Sequence, residues 1–186
     1  PGSSFVLVDP LDGTREFVSR NPDFTVNIAL VRDGAPVAGV VFAPARGTLW
    51  GGAGERAWRL DEASGARSDI RVRPMAACPV ILASRSHRTP ETEAFLSRHA
   101  DCETRAVGSS LKFCMIAEGG ADLYPRHGRT MEWDTAAGDA VLRAAGGMTR
   151  TLDGAPLTYG KRGGADGDWA NPFFIASGTG DVQPSS

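Results

Sequence analysis

The sequence predicts an α/β protein whose first half is mainly antiparallel sheet and whose second half alternates strands with helices. Two observations lead to this fold class. Apolar runs of strand length, separated by turn residues, fill roughly the first seventy positions, and from about residue 78 such runs alternate with helix-like segments. The chain has 186 residues, of which 41% are hydrophobic, so it can bury a substantial core. We expect two domains, residues 1–77 and 78–186.

The first half contains turn signals that divide it into strands. Asp33 and Gly34 form a hairpin signal, and the glycine-rich loop 51–54 joins two short runs. Residues 5–8 are continuously apolar, which predicts a strand covered on both faces. The predicted strands cover residues 5–8, 24–31, 37–42, 48–50 and 57–60.

The second half contains helix starts and stops between its strands. Pro90 suits a first helical turn, Ser109 or Ser110 can cap the next helix, and glycine pairs end the later helices. The predicted helices cover residues 90–99, 109–118 and 134–145, and the predicted strands cover residues 80–83, 121–124, 148–152 and 173–176. We expect residues 160–168 to form a flexible surface loop and residues 182–186 to form a frayed tail.

The composition argues against several classes of function. Twenty basic and 22 acidic residues give a net charge of −2, so no excess positive charge indicates a nucleic-acid partner or an acidic membrane surface. No apolar run approaches the roughly 18 residues that a membrane span requires, and no signal peptide opens the sequence. A small phosphorylated substrate, bound by local charges or a metal, remains compatible with these numbers.

The cysteines number three, and no two of them have CxxC spacing: Cys78, Cys102 and Cys114. We therefore expect neither a zinc site nor a disulfide, but reduced, buried thiols in a cytoplasmic protein.

The first chemical signal is the sequence DPLDGT at residues 9–14. Asp9 and Asp12 follow a predicted strand on a turn forced by Pro10 and Gly13, so both carboxylates can reach one point beyond the strand end. Carboxylates and backbone carbonyls are the ligands that Mg²⁺ prefers, and Gly13 allows a phosphate close to the backbone. The alternative is a turn in which both aspartates only cap backbone N–H groups.

The second signal is the sequence WDTAAG at residues 133–138. Asp134 stands at the start of a predicted helix that is otherwise small and apolar. Ala136 and Ala137 permit close helix packing, which could carry Asp134 inward. The alternative is an ordinary N-cap, a position that Asp favours.

Together the two motifs resemble those of the inositol-monophosphatase superfamily, which carries D-P-[IL]-D-G-[ST] and, much later in the chain, W-D-x-[AS]-[AG]-G. Residues 24–30 (FTVNIAL) and 39–44 (GVVFAP) are similar to the hairpin of that family. The resemblance extends to about residue 175. It implies the layered α+β sandwich of this superfamily.

Further stretches resemble one branch, the CysQ-type 3'(2'),5'-bisphosphate nucleotidases: TREF at 14–17, SRSH at 84–87, GSSLKFC at 108–114 and LYPR at 123–126. This implies hydrolysis of the 3'-phosphate of adenosine 3',5'-bisphosphate to AMP and phosphate. An inositol monophosphatase, or another sugar-phosphate phosphatase, is the alternative of the same class. A non-catalytic nucleotide-binding or regulatory protein is the alternative of another class.

The resemblance implies two or more Mg²⁺ ions and a set of residues that hold them. Asp9 would bridge two ions, the Leu11 carbonyl would bind one of them, and Asp12 and Asp134 would bind the second. Thr14 would orient and deprotonate the attacking water, which completes a catalytic set of Asp9, Asp12, Thr14 and Asp134. The implied substrate contacts are Leu11, Asp12, Gly13, Thr14, His87, Ser109, Lys112, Arg126 and Asp134.

One departure from the family pattern concerns the start of the sequence. The first metal ligand of the family is a Glu about twenty residues before DPLDGT, beyond the eight residues that precede Asp9 here. We therefore expect a fragment without the first helical layer, inactive or nearly so by itself, whose first sheet exposes an apolar face. The expected location is the cytoplasm, with peripheral attachment to the inner face of the cell membrane as the alternative.

Overall fold

The computed structural model describes residues 3–85, 88–164 and 167–179. Two β-sheets are built from separate stretches of the chain. In the first sheet, six strands pair antiparallel in chain order, as the succession of hairpin signals predicts. These strands are β1 (Ser4–Asp12), β2 (Thr25–Arg32), β3 (Ala35–Ala43), β4 (Thr48–Ala53), β5 (Arg56–Asp61) and β6 (Arg67–Ile70).

The second sheet has five strands in the order β10-β11-β9-β7-β8. β7 runs parallel to β8 and β9, whereas β11 pairs antiparallel with β9 and β10. Its strands are β7 (Ile81–Ser84), β8 (Thr104–Val107), β9 (Leu123–Arg126), β10 (Met148–Thr151) and β11 (Phe174–Ser177). The α-helices of the described residues are α1 (Thr14–Val18), α2 (Pro90–Ser97), α3 (Leu111–Ala117) and α4 (Glu132–Ala144).

Side chains along the strands of the second sheet point alternately to its two faces, and the partners on each face show how the layers are stacked. Leu82 and Phe174 belong to the main core, in which α3 and α4 lie between the sheets. Their strand neighbours Ile81 and Ile175 face the opposite side and pack with Phe95 of α2. The order of layers is therefore sheet, helix pair, sheet and helix, which confirms the predicted layered sandwich.

Helix α4 lies against β2, β3 and β4 of the first sheet. A Cβ atom on Gly39 would lie 2.6 Å from the Ala137 carbonyl oxygen, and one on Gly52 would lie 2.7 Å from Val141 Cα. Only glycine permits this approach, so the small residues of both elements let the helix run directly over the sheet. This contact fixes where α4 begins, and with it the position of Asp134.

The other face of the first sheet is partly open. Val6 is 58% exposed, Val8 51% and Ile28 44%, whereas Leu7 between the two valines is buried. The prediction that residues 5–8 are covered on both faces is thus wrong for this chain, because alternate residues point away from α4. The expectation of an exposed apolar face is confirmed at these three residues.

The cysteine prediction is wrong for two of the three residues. Cys78 and Cys102 form a disulfide, and Cys78 is exposed. Sequence spacing gave no hint because the partners are 24 residues apart and meet only when β7 lies beside β8. Cys114 is a buried free thiol on α3, as expected, and burial raises its pKa well above the usual value.

The two sheets divide the chain near the predicted boundary, since the first ends at Ile70 and the second begins at Ile81. α4 comes from the second part of the chain but packs on the first sheet, so both parts share one core. The division into domains 1–77 and 78–186 stays a prediction. None of the described helices has the length and apolar character needed to cross a bilayer.

Candidate active site

A bulge at the end of β1 turns Asp9 and Asp12 to the same side of the sheet. Residues three apart on a regular strand point to opposite faces. Here Asp9 pairs with Asn27 and Asp12 pairs with Thr25, so three steps on β1 match two steps on β2. The extra residue is the consequence of Pro10, which has no N–H for the strand ladder. Gly13 then takes a left-handed conformation (φ 86°) before α1 begins.

The Asp12 carboxylate is held by donors from two other elements. Its Oδ2 accepts hydrogen bonds from the Ser110 N–H at 2.7 Å, the Asn27 Nδ2 at 3.3 Å and the Thr25 hydroxyl at 3.4 Å. Asp9 is held within its own turn, where its Oδ1 accepts the Leu11 N–H at 3.0 Å. Thr14 donates its hydroxyl to the Leu11 carbonyl at 3.4 Å.

Asp134 comes from the other half of the chain, on the first turn of α4. The helix begins at Glu132, so Asp134 is its third residue, and its Oδ2 accepts the Met131 N–H at 2.7 Å. This half of a capping box accounts for one oxygen of the carboxylate. The same side chain lies near enough to Asp9 for the two carboxyl groups to influence each other's pKa.

The charges of these carboxyl groups act on one another. Burial, together with the charges of Asp12 and Asp9 and opposed by the Met131 N–H, raises the pKa of Asp134 to about 6. Burial also raises the pKa of Asp9, with a further contribution from Asp12. Carboxylates that repel one another in a partly dry site favour either a proton or a cation between them.

All three aspartates line one cavity of about 450 Å³. The cavity also contains every other predicted site residue that the structure describes: Leu11, Gly13, Thr14, Ser109, Lys112 and Arg126. His87 lies outside the described residues. Residues predicted from separate motifs therefore meet in one place, although the roles assigned to them by resemblance stay predictions.

Lys112 and Arg126 reach the cavity while tied to backbone carbonyls. The Lys112 ammonium donates to Ser109 at 2.7 Å and to Val107 at 3.2 Å, and burial lowers its pKa to about 8. Arg126 donates to the carbonyls of Gly128 at 3.2 Å and Arg129 at 3.1 Å. Both cations are thus fixed at the cavity wall by the loops beside them.

Several residues in or behind the cavity were not predicted from the sequence as site residues. Glu16 is only 5% exposed and adds a fourth carboxyl group to the lining. It lies within the TREF stretch, which was used only to identify the branch. Ser110 and Asn27, which hold Asp12 from behind, lie within the stretches GSSLKFC and FTVNIAL, which were also used only for the resemblance. A serine before a helix and an asparagine in a strand suggest no chemistry by themselves.

The donor atoms suit a hard divalent cation. Three crowded carboxylates and the Leu11 carbonyl are the oxygen ligands that Mg²⁺ prefers. In the described part of the chain, no three Asp, Glu, His or Cys side chains are arranged so that they could already hold a metal ion. The fit to Mg²⁺ therefore rests on the chemistry of the donor atoms, and the raised pKa values of Asp9 and Asp134 are consistent with a cation being favourable there.

Comparison with known proteins places these residues in a family. The chain matches the inositol monophosphatase family over residues 1–177. It is 49% identical to the 3'(2'),5'-bisphosphate nucleotidase CysQ of Escherichia coli K12 over 171 residues, which cover 92% of this chain and 67% of that protein. It is 45% identical to the CysQ protein of Buchnera aphidicola over 84% of this chain and 58% of that protein.

Solved structures agree with this relationship. CysQ of Bacteroides thetaiotaomicron, a bacterial member of the inositol monophosphatase family, superposes with a TM-score of 0.85 at 38% identity, over 96% of this chain and 71% of that one. Mycobacterium tuberculosis SuhB gives a TM-score of 0.72 at 28% identity, over 94% and 66% of the two chains. The chain thus spans about two thirds of the length of the relatives it matches. With both motifs, the fold and these similarities in agreement, the chain belongs to the inositol monophosphatase family.

Proposed function

We propose that this chain is the metal-binding, catalytic part of a phosphatase that converts adenosine 3',5'-bisphosphate to AMP and phosphate. The observation that carries the proposal is the meeting of Asp9, Asp12 and Asp134 in one cavity with Lys112 and Arg126. Identity of 49% to a protein named 3'(2'),5'-bisphosphate nucleotidase supports the choice of substrate.

Mg²⁺ is the proposed cofactor, with two or more ions. Asp9, Asp12, Asp134 and the Leu11 carbonyl would hold the ions. When bound, Mg²⁺ lowers the pKa of its water and neutralises charge on the phosphoryl group. Asp9 and Asp134 must both be ionised to serve as ligands, and burial, which raises the pKa of both, opposes this until a cation is bound.

The chain itself positions the remaining groups. The Thr14 hydroxyl, which donates to the Leu11 carbonyl, can accept a hydrogen bond from the attacking water and would help to orient it, while the proton of the water would pass to a carboxylate of the cavity. Gly13 has no side chain, so the phosphate being cleaved can approach the start of α1. No side chain of the chain needs to act as a covalent nucleophile.

Discrimination between substrates is proposed to depend on two cationic side chains in the cavity wall, Lys112 and Arg126. A bisphosphate nucleotide carries a second dianionic phosphate, which charged donors bind well. Two of the three Lys112 N–H groups are used by Ser109 and Val107, so the third can serve a phosphate oxygen. Ser109, Arg126 and His87 complete the proposed contacts.

The two alternatives differ in what they require. Inositol monophosphate lacks the second phosphate, so Lys112 and Arg126 would contribute little to its binding. A non-catalytic nucleotide-binding or regulatory protein would need no converging carboxylates, and three of them line this cavity. The nucleotidase is therefore the better account of both the acidic and the basic residues.

We also propose a small phosphorylated nucleotide as the partner, no nucleic acid, and the cytoplasm as the location, with peripheral attachment to the inner face of the cell membrane as the alternative. The Cys78–Cys102 disulfide makes the redox state of the protein inside cells an informative test of location. Alkylation before lysis would reveal two free thiols in a reducing compartment.

The proposed function is tested with protein expressed from the complete reading frame that contains this chain. Phosphate release from adenosine 3',5'-bisphosphate should require Mg²⁺, exceed release from inositol monophosphate, and fall by at least about a hundredfold in D9N and D134N, since each removes a charged ligand. Faster hydrolysis of inositol monophosphate would establish the first alternative. Binding of the nucleotide without hydrolysis, in folded protein with Mg²⁺, would establish the second.

A further inference from the structure

Behind the carboxylates of the cavity lies a small group of fully buried polar side chains. Ser110 and Asn27 are each 1% exposed, and neither lines the cavity. Ser110 precedes α3, whereas Asn27 lies in the middle of β2. Burying two uncharged polar side chains is costly unless each makes hydrogen bonds, so their partners indicate what they do.

Ser110 contacts both carboxylate-bearing segments. Its N–H donates to Asp12 Oδ2 at 2.7 Å, and its hydroxyl donates to the main-chain carbonyl of Asp134, also at 2.7 Å. One residue therefore connects the turn after β1 with the first turn of α4. Those two segments are far apart in the sequence, and both contribute carboxylates to the cavity of the proposed cation site.

Asn27 closes the group and has only one workable orientation. Its Nδ2 donates to Ser110 Oγ at 3.0 Å and to Asp12 Oδ2 at 3.3 Å. Because the Ser110 proton is already donated to Asp134, Oγ can only accept from Asn27. The opposite amide orientation would also place Oδ1 against a carboxylate oxygen. The cost of this orientation is that Asn27 Oδ1 is buried without a partner among the described residues.

We propose that Ser110, with Asn27, is a positioning pair that sets the Asp12 carboxylate relative to Asp134 so that both can hold the same cation. This inference rests on the proposed function, because it concerns the same metal site. Neither side chain touches substrate or metal. Their effect is to prevent Asp12 from rotating away and to keep α4 at a fixed distance from the β1 turn.

The predicted consequence is a loss of cation affinity. Residues that hold metal ligands by hydrogen bonds typically contribute about 10- to 100-fold in affinity. S110A keeps the backbone N–H bond to Asp12 but loses the bonds to Asp134 and Asn27. N27A loses the donors to Asp12 and Ser110. We expect both variants to weaken Mn²⁺ binding, Mn²⁺ being a spectroscopic probe for Mg²⁺, by about 10- to 100-fold.

Binding of Mn²⁺, measured by electron paramagnetic resonance on the complete protein without substrate, tests this inference separately from the reaction. S177A removes another buried serine hydroxyl, in β11, and should bind Mn²⁺ as the wild type does. S110T keeps the hydroxyl and should restore affinity to within about threefold of wild type. Wild-type affinity in folded S110A and N27A would overturn the positioning role, whereas failure of the wild type to bind Mn²⁺ would overturn the proposed metal site itself.

A kinetic measurement separates positioning from general damage to the fold. In S110A, the Mg²⁺ concentration for half-maximal activity should rise by about 10- to 100-fold. The KM for the bisphosphate at saturating Mg²⁺ should stay within about threefold of wild type, because Ser110 lies behind the ligands. An unchanged Mg²⁺ requirement with reduced kcat would contradict the proposal.

Discussion

The surroundings of a carboxylate decide whether it supports a helix end or is available to a cation, and Asp134 combines features of both. One of its oxygens accepts the Met131 N–H, but Met131 is the N-cap and Asp134 is the third residue of α4, so the alternative of an ordinary N-cap at Asp134 is wrong. The same side chain lies beside Asp9 in the cavity, as the family resemblance implied. A carboxylate can face both ways because it has two oxygens and four lone-pair directions.

Lys112 is the residue on which substrate choice can be tested. In the complete protein, K112M should lower kcat/KM for the bisphosphate, mainly by raising KM, because a charged hydrogen bond to the second phosphate is lost. The fall in kcat/KM should correspond to a loss of about 1.5–3 kcal/mol of transition-state stabilisation. Hydrolysis of inositol monophosphate should barely change. The methionine keeps most of the buried stem, which limits damage to packing, and removes the ammonium group that lies over the Tyr124 ring.

The comparison between the two substrates is the internal control for this substitution. Lys112 also holds the carbonyls of Val107 and Ser109, so its loss could loosen the loop instead. An equal fall of kcat/KM for both substrates would mean that Lys112 supports the loop or the metal site. The inositol phosphatase alternative would then gain support.

At the level of elements, sequence patterns predicted most strands and the three longer helices but missed two short edge strands. Strands β2 to β5 and helices α2 to α4 were predicted close to their observed bounds. The segments β6 (RSDI) and β8 (TRAV) were missed, since they lie at sheet edges and carry few apolar residues. β6 and β8 are strands because they pair with β5 and β7, and such pairing between separate segments leaves no local pattern in the sequence.

The sequence could predict which residues line the cavity, although their roles stay predictions, and there is a physical reason for this. Asp9, Asp12 and Asp134 stand in motifs whose residue types are set by chemistry. Ser110 and Asn27 act through long-range contacts, and a contact between residues 83 positions apart has no local signature. The β1 bulge was equally hidden, although Pro10 is its sequence-level cause.

The disulfide joins two connecting segments, the approach to β7 and the turn between α2 and β8. Its loss in C78S/C102S should lower the free energy of unfolding by about 3.5 kcal/mol, the chain-entropy estimate for a loop of this size. Urea unfolding of the double variant and of the wild type measures the difference. The double variant should be insensitive to added reductant, whereas the wild type should lose the same stability when reduced. Two alkylated thiols at Cys78 and Cys102 in unreduced protein would contradict the bond.

At the scale of the whole molecule, one ion pair fastens the connection between the two sheets. Asp122, 1% exposed, accepts Arg73 Nε at 2.8 Å, Arg73 Nη2 at 2.6 Å and the Val80 N–H at 2.7 Å. Arg73 and Val80 both belong to the segment that runs from β6 to β7. The bidentate pair therefore attaches that segment to the start of β9.

This pair predicts how stability depends on pH. The hydrogen bonds from Arg73 hold the pKa of Asp122 below its ordinary value of 3.8. A carboxyl group whose pKa is lower in the folded state stabilises the fold above the unfolded pKa, and that contribution is lost as pH falls below about 4 through the folded pKa. D122N should therefore lower the free energy of unfolding by about 2 kcal/mol at pH 7 and flatten its decline in acid. Urea unfolding between pH 2.5 and 7 measures both effects.

The control is D168N, which breaks the exposed pair with Arg162 and should change stability much less. Equal effects of D122N and D168N, or an unchanged acid slope in D122N, would show that the connection between the sheets does not depend on this pair.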